Sequence, residues 1–119
     1  MSVLRERIDA FVLEADRLSA EYFKANGYTF SLPPLHRANF SEKWAKVVVL
    51  EDRGAGSRVA TSVYAFIALK DNVTRTLGVV KAGDIHKAAS FSAPAKVSRG
   101  SVFSADFNNA LTPNGIVYR

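Results

Sequence analysis

One long helical period at the start of the chain is followed by short runs that are typical of strands. From residue 4 to residue 23, apolar side chains recur at spacings of three and four, at Leu4, Ile8, Phe11, Val12, Ala15, Leu18, Tyr22 and Phe23. This spacing predicts an amphipathic helix over residues 3–26, capped by Ser2 and ended by Asn26-Gly27. The side chains expected to be buried against a sheet are Ile8, Phe11, Val12, Leu18 and either Tyr22 or Phe23.

The remainder of the chain predicts an antiparallel meander sheet. Runs rich in Val, Ile, Tyr and Phe alternate with turn residues. The predicted strands are Trp44–Glu51, Val59–Leu69, Thr74–Val80 and Ile85–Ala89. The segment at residues 52–57 contains Gly54 and Gly56 and predicts a hairpin loop, because a strand rather than a helix follows it.

Prolines indicate where this pattern of strands is interrupted. Pro33-Pro34 predicts an extended, irregular segment over residues 28–41, since neither proline fits a helix interior. Pro94 excludes a central strand, which predicts a loop over residues 90–96 that arches over the sheet.

The C-terminal part predicts two further short elements. Ser104 can cap a short helix through Asn108 to Leu111, and a final strand is predicted over Ile116–Arg119. The sequence therefore predicts a single α+β domain over residues 1–119, with the N-terminal helix packed on the antiparallel sheet.

The composition and motifs argue against an enzyme, a metal site and a membrane protein. The chain has no cysteine and only two histidines, His36 and His86, so we expect neither metal nor cofactor. No nucleotide-binding or hydrolytic signature motif occurs. Asp84 and His86 could form an acid–base pair, although a turn aspartate beside a surface histidine is favoured. His36 and Arg37 are likewise interpreted as loop surface, and the absence of a long apolar run predicts a cytosolic protein.

The positive charge lies outside the predicted helix. The net charge is +5, and residues 1–26 hold four basic and five acidic side chains, against twelve basic and six acidic in residues 27–119. This distribution favours an anionic partner, which could be a polymer, a small nucleotide or a lipid surface.

Residues 83–101 have a composition suited to holding phosphate and a base. Lys87, Lys96 and Arg99 can neutralise phosphoryl oxygens, and Phe91 offers a face for stacking. We expect Lys87 near the end of a strand and Phe91, Lys96 and Arg99 in the following loop, so that these side chains converge on one side of the sheet edge. A basic surface segment with one inward-pointing phenylalanine explains the same composition equally well.

The same segment, GDIHKAASFSAPAKVSRGS, resembles a motif of a family of small phage proteins, the Thoeris anti-defence proteins of the first type. The helix-then-sheet order and the terminal aromatic–arginine pair support the resemblance. It implies a non-catalytic sponge that sequesters cyclic ADP-ribose isomers made by bacterial TIR-domain proteins in the infected host's cytoplasm. It also implies that the ligand lies between protomers of a homo-oligomer, a dimer or a hexamer, and that cyclic oligonucleotides bind some members at separate sites.

The resemblance also implies residue roles. Phe91 would stack on the adenine, Arg119 would be the C-terminal arginine of the site, and Arg58 would contact a phosphate. Ser101 stands where the family often has asparagine, and Ser92 where it commonly has lysine. Because serine lacks the amide that both donates and accepts, an altered ligand preference is expected.

Two other functional classes fit the sequence. A single-strand nucleic-acid-binding accessory protein would use a basic sheet with exposed aromatics such as Tyr64, Phe66 and Phe91. A virion or scaffold component would form an oligomer and bind no nucleotide.

Overall fold

In the computed structural model, one long helix packs on a curled antiparallel sheet, which confirms the α+β class. The structure describes residues 3–27, 32–52, 58–74, 77–90, 93–104, 107, 111–112 and 115–116. The elements are α1 (Val3–Ala25), β1 (Leu35–Phe40), β2 (Trp44–Asp52), β3 (Arg58–Ala68), β4 (Asn72–Thr74), β5 (Gly78–Val80), β6 (Asp84–Ser90), β7 (Ala93–Ser101), β8 (Leu111–Thr112) and β9 (Gly115–Ile116). None of the helical residues described forms a segment long and apolar enough to cross a membrane.

The helix buries the face that its apolar period predicts. Ile8 and Phe11 are fully buried, and Val12 and Leu18 pack half-buried against the same core. The Phe11 ring meets the Tyr64 ring edge-on, with 5.9 Å between centroids. The prediction for Ile8 and Phe11 is therefore confirmed, and the core lies between α1 and the inner face of the sheet.

The sheet has the order β1-β2-β3-β6-β7, in which every neighbouring pair is antiparallel. The predicted strand Thr74–Val80 is wrong, because β4 and β5 pair with each other in a separate two-stranded hairpin. As a result β3 pairs directly with β6, and Phe66 lies opposite His86. The predicted hairpin loop lies mostly in residues 53–57, outside the described residues.

Both edge strands of the sheet overlap segments for which the prolines predict an irregular backbone. Residues 35–40 form β1, which pairs with β2, and Ala93 already belongs to β7. The predicted loop over residues 90–96 is therefore wrong at both ends. Proline lacks an N–H and cannot donate to a sheet ladder, but an edge strand needs only one side paired, so Pro94 is tolerated there.

The predicted C-terminal helix is not found. Of that stretch the structure describes residues 104, 107 and 111, and none of them is α-helical. Leu111 is instead buried in the core as part of β8, which pairs with β9. Ile116 starts the predicted final strand as β9, and residues 117–119 lie outside the described residues.

Gly83 occupies a position that should tolerate no side chain. Its φ is +92°, and a Cβ there would lie 2.6 Å from Cδ2 of Phe103. We expect Gly83→Ala to lower the free energy of unfolding by about 1–3 kcal/mol, from backbone strain and from displacement of that ring. Denaturant unfolding measures this. Gly78→Ala is the matched control, because Gly78 has φ +73° and open space around it, so it carries the backbone cost alone. Equal losses in both variants would contradict the close contact with Phe103.

Candidate functional site

The basic segment singled out in the sequence forms the hairpin β6–β7. Ser90 and Ala93 are its last paired residues. Phe91 belongs to the connection between them and lies outside the described residues, as does Arg119. Lys96 and Arg99 belong to strand β7 rather than to a loop, and their side chains also lie outside what the structure describes.

Lys87 is half-buried and connects β6 to the C-terminal part of the chain. It lies two residues after the buried Ile85, on the same face of the strand, and its Nζ donates to the backbone carbonyl of Ile116 at 3.2 Å. The contact brings the chain just before residue 119 next to β6.

Arg58 lies at the start of β3, and its guanidinium bonds backbone carbonyls. Nη1 donates to Pro33 at 3.0 Å and to Leu50 at 3.4 Å. These bonds fasten the segment before β1 to the end of β2. Because β3 and β6 run antiparallel, Arg58 lies at the end of the sheet towards which the β6–β7 connection points.

Ser101 lies at the opposite end of the hairpin. It pairs with Asp84, and its Oγ accepts the backbone N–H of Phe103 at 3.2 Å. Eight strand steps from Ala93 separate it from the β6–β7 connection by roughly 25 Å. One chain therefore does not bring Ser101 and the Phe91 position into a single pocket.

A small polar cavity beside Arg58 was not found from the sequence. Its volume is about 160 Å³, and it is lined by Ser19, Pro34, His36, Val49, Glu51, Ser62 and Tyr64. Tyr64 donates its hydroxyl to the carbonyl of Thr112 at 2.6 Å, and burial raises the pKa of Tyr64. The cavity offers hydroxyls and one carboxylate, a set that suits the hydroxyl groups of a ligand better than its phosphates.

His36 is buried rather than on a loop surface, so the prediction for it is wrong. Its Nδ1 and its backbone N–H both lie 2.8 Å from Oδ1 of Asp16, and its ring is edge-on to Tyr64 at 4.7 Å. Burial lowers the pKa of His36, and the Asp16 carboxylate opposes part of that shift. Asp16 is twenty residues from His36 in the sequence. Its position beside Ala15 and Ser19, on the inner face of α1, is the sequence feature that could have indicated this contact.

The lowered pKa of His36 predicts a pH-dependent stability. The unfolded imidazole titrates near 6.5, so below that pH the unfolded chain binds more protons than the folded one. The contribution of His36 to the free energy of unfolding is complete above about pH 6.5, and it is lost as the pH falls towards the pKa of His36 in the folded protein. We expect the free energy of unfolding to fall between pH 6.5 and pH 5, and to fall less in His36→Asn, whose amide can still donate to Asp16. Equal slopes for both proteins would show that His36 does not carry the effect.

Asp84 and His86 do not form an acid–base pair. Oδ2 of Asp84 accepts the backbone N–H of Lys81 at 3.0 Å, and Nδ1 of His86 lies 2.7 Å from the carbonyl oxygen of Ala95. Because a carbonyl only accepts, Nδ1 is the donor in this bond. Nε2 is buried and has no hydrogen-bond partner among the described residues, and the ring is edge-on to Trp44 at 5.4 Å. His86 is therefore a buried residue of the outer sheet face rather than a surface histidine.

Comparisons with known proteins add no identification to this geometry. No protein-family model matches the chain, and neither a curated protein nor a solved structure matches it. Among the residues that the structure describes, no three metal-ligating side chains come together.

Proposed function

We propose that the protein binds and sequesters a small signalling nucleotide of the cyclic ADP-ribose type without cleaving it. The observation that carries the proposal is the gathering of groups at one end of the sheet. Arg58 and the β6–β7 connection, which includes residue 91, lie at that end, and the Lys87–Ile116 contact ties the C-terminal segment to the adjoining strand. A cation for phosphate, an aromatic ring for the base and a terminal arginine are the groups that such a ligand needs.

The polar cavity beside Arg58 supports a nucleotide over a simple anion. Hydroxyl groups of Ser19, Ser62 and Tyr64 line it together with the Glu51 carboxylate. A carboxylate repels phosphate but accepts hydrogen bonds from ribose hydroxyls. The phosphates would then lie towards Arg58, and the ribose towards the cavity.

The size of this cavity favours a pocket shared between two chains. Its volume is about 160 Å³, whereas sites that enclose small ligands have about 300–1,000 Å³. A second protomer could close over the ligand and bring its own Ser101 or Arg119 to it. We therefore propose a homo-oligomer, a dimer or a hexamer, in the cytoplasm of an infected bacterium.

A single-strand nucleic-acid-binding role has lost its main support. Tyr64 and Phe66, expected to form an exposed stacking surface, are both buried. Of the three aromatic residues in that hypothesis, only Phe91 remains, and one stacking residue is a weak platform for a polymer.

Calorimetry and native mass spectrometry test the proposed function. We expect cyclic ADP-ribose isomers to bind reversibly and to be recovered unchanged after heat denaturation of the complex, because no activated nucleophile is evident among the described residues. Binding should depend mildly on salt, since only two phosphates are neutralised. A poly-dT oligonucleotide is the control. At 150 mM salt, non-specific binding to phosphates has a dissociation constant of about 10⁻⁴–10⁻⁶ M. The oligonucleotide should therefore bind more weakly than the cyclic nucleotide.

Three results would overturn the proposal. Hydrolysis of the ligand with turnover would indicate an enzyme. Tight, steeply salt-dependent binding of the oligonucleotide would indicate a polymer-binding protein. An oligomer that binds neither probe would indicate a structural component.

A further inference from the structure

The outer edge of strand β1 presents backbone groups that point away from the sheet. The backbone N–H of His36 bonds the side chain of Asp16, whereas the backbone N–H of Ser41 bonds the carbonyl of Trp44 where β2 begins. Backbone groups alternate in direction along a strand, so the even-numbered residues of β1 face outwards. Asp16 already occupies the His36 position. Ala38 and Phe40 pair with no protein group on that side within the described part of the chain.

A groove runs along this edge, between β1 and the N-terminal half of α1. Its volume is about 400 Å³, and its walls include Val12 and Leu13 from the helix and Ala38 and Phe40 from the strand. Leu13 is 69% exposed and Phe40 is 39% exposed, so each wall of the groove presents a large apolar side chain to solvent. The groove thus combines free backbone donors and acceptors with apolar walls.

The charge of the groove selects among possible occupants. Arg5 and Arg37 contribute two positive charges and Asp9 contributes one negative charge. The Arg5 guanidinium lies over the Phe40 ring, 4.0 Å from its centroid. A second copy of the chain would bring its own Arg5 and Arg37 against these, whereas an acidic segment would be complementary.

We propose that this groove binds an extended peptide of alternating apolar and acidic residues as an added sixth strand of the sheet. The peptide backbone pairs with Ala38 and Phe40, its apolar side chains contact Val12 and Leu13 on the face towards α1, and its carboxylates meet Arg37 on the opposite face. Addition of a strand to an exposed edge draws affinity from backbone hydrogen bonds and specificity from alternate side chains. This site lies on the opposite edge of the sheet from β7, and it adjoins the polar cavity of the proposed nucleotide site at His36, which lines both.

An NMR titration of the full chain with a blocked hexapeptide of alternating valine and glutamate tests the proposal. We expect saturable shifts of the amide signals of Ala38, Phe40 and Leu13. Methylation of alternate peptide nitrogens should abolish binding, because it removes donors of the added ladder. Arg37→Glu should weaken binding about fivefold, with Arg7→Glu, an exposed reversal on α1 outside the groove, as the matched control.

Four outcomes would overturn the proposal. Two of them concern the peptide: the amide shifts do not saturate, or the methylated peptide binds as tightly as the unmodified one. In the third, the same shifts appear when the protein is concentrated without peptide, which would indicate self-association. In the fourth, ADP-ribose produces the same shifts in place of the peptide. Ala38→Pro, which removes one outward N–H, should also abolish binding. If that variant does not fold, the methylated peptide on the unmodified chain decides the question.

Discussion

Replacement of Phe11 by alanine is expected to lower the free energy of unfolding by about 3–5 kcal/mol. The Phe11 side chain is fully buried, and it joins the helix to the sheet through Tyr64 and to the C-terminal part through Phe107, 6.3 Å away between ring centroids. Removal of the ring leaves a cavity where the helix, the sheet and the C-terminal part pack together, and the lost contacts and the cavity both lower stability. Equilibrium unfolding in urea measures the loss.

Leu13→Ala is the matched control on the same helix. Leu13 points to solvent, so its truncation should change the free energy of unfolding by less than about 0.5 kcal/mol. A loss below about 1 kcal/mol for Phe11→Ala would contradict the burial of this face.

The helix and the two central strands could be predicted because their signals are local. The spacing of Ile8, Phe11 and Ala15 defines one face of α1 without reference to the rest of the chain. Strands β2 and β3 begin and end within one residue of their predicted bounds, since each is a continuous β-branched and aromatic run between turn residues.

The edges of the sheet could not be predicted, because they depend on which strands pair. Prolines near residues 33 and 94 argue against a central strand, but both fall at strands that have a neighbour on one side only. The segment Thr74–Val80 has strand propensity, so the sequence predicts it as one strand of the main sheet, whereas it belongs to the separate β4–β5 hairpin. Only the direct pairing of Ile67 with Ile85 shows that it lies outside.

In the candidate site, too, residue types could be predicted from the sequence, whereas contacts between distant segments could not. Arg58 and Lys87 were identified by type and position, but a sequence does not show that both bond backbone carbonyls from distant segments. The polar cavity depends on Asp16 and His36 meeting across twenty residues. Neither residue belongs to a recognisable sequence motif, so the pair can be identified only from the packing of α1 against β1.

Phe91→Ala is expected to weaken the affinity for a cyclic ADP-ribose isomer about tenfold to a hundredfold, because stacking on one base contributes about 1–3 kcal/mol. The melting temperature should remain nearly unchanged if the ring serves the ligand rather than the core. Calorimetric titration and thermal unfolding of the same sample separate the two quantities.

Arg119→Ala should change affinity in the same direction, since a terminal arginine can hold a phosphate or stack on a base.

Phe40→Ala provides the control for Phe91→Ala, because it removes a partly exposed ring from β1, on the opposite edge of the sheet. It should leave nucleotide affinity unchanged. If Phe91→Ala unfolds the chain, its ring belongs to the core, and the basic segment is surface with one inward-pointing aromatic. If the variant stays folded and binds as tightly as the unmodified chain, the stacking role is wrong and the resemblance of residues 83–101 to the phage family does not extend to the site.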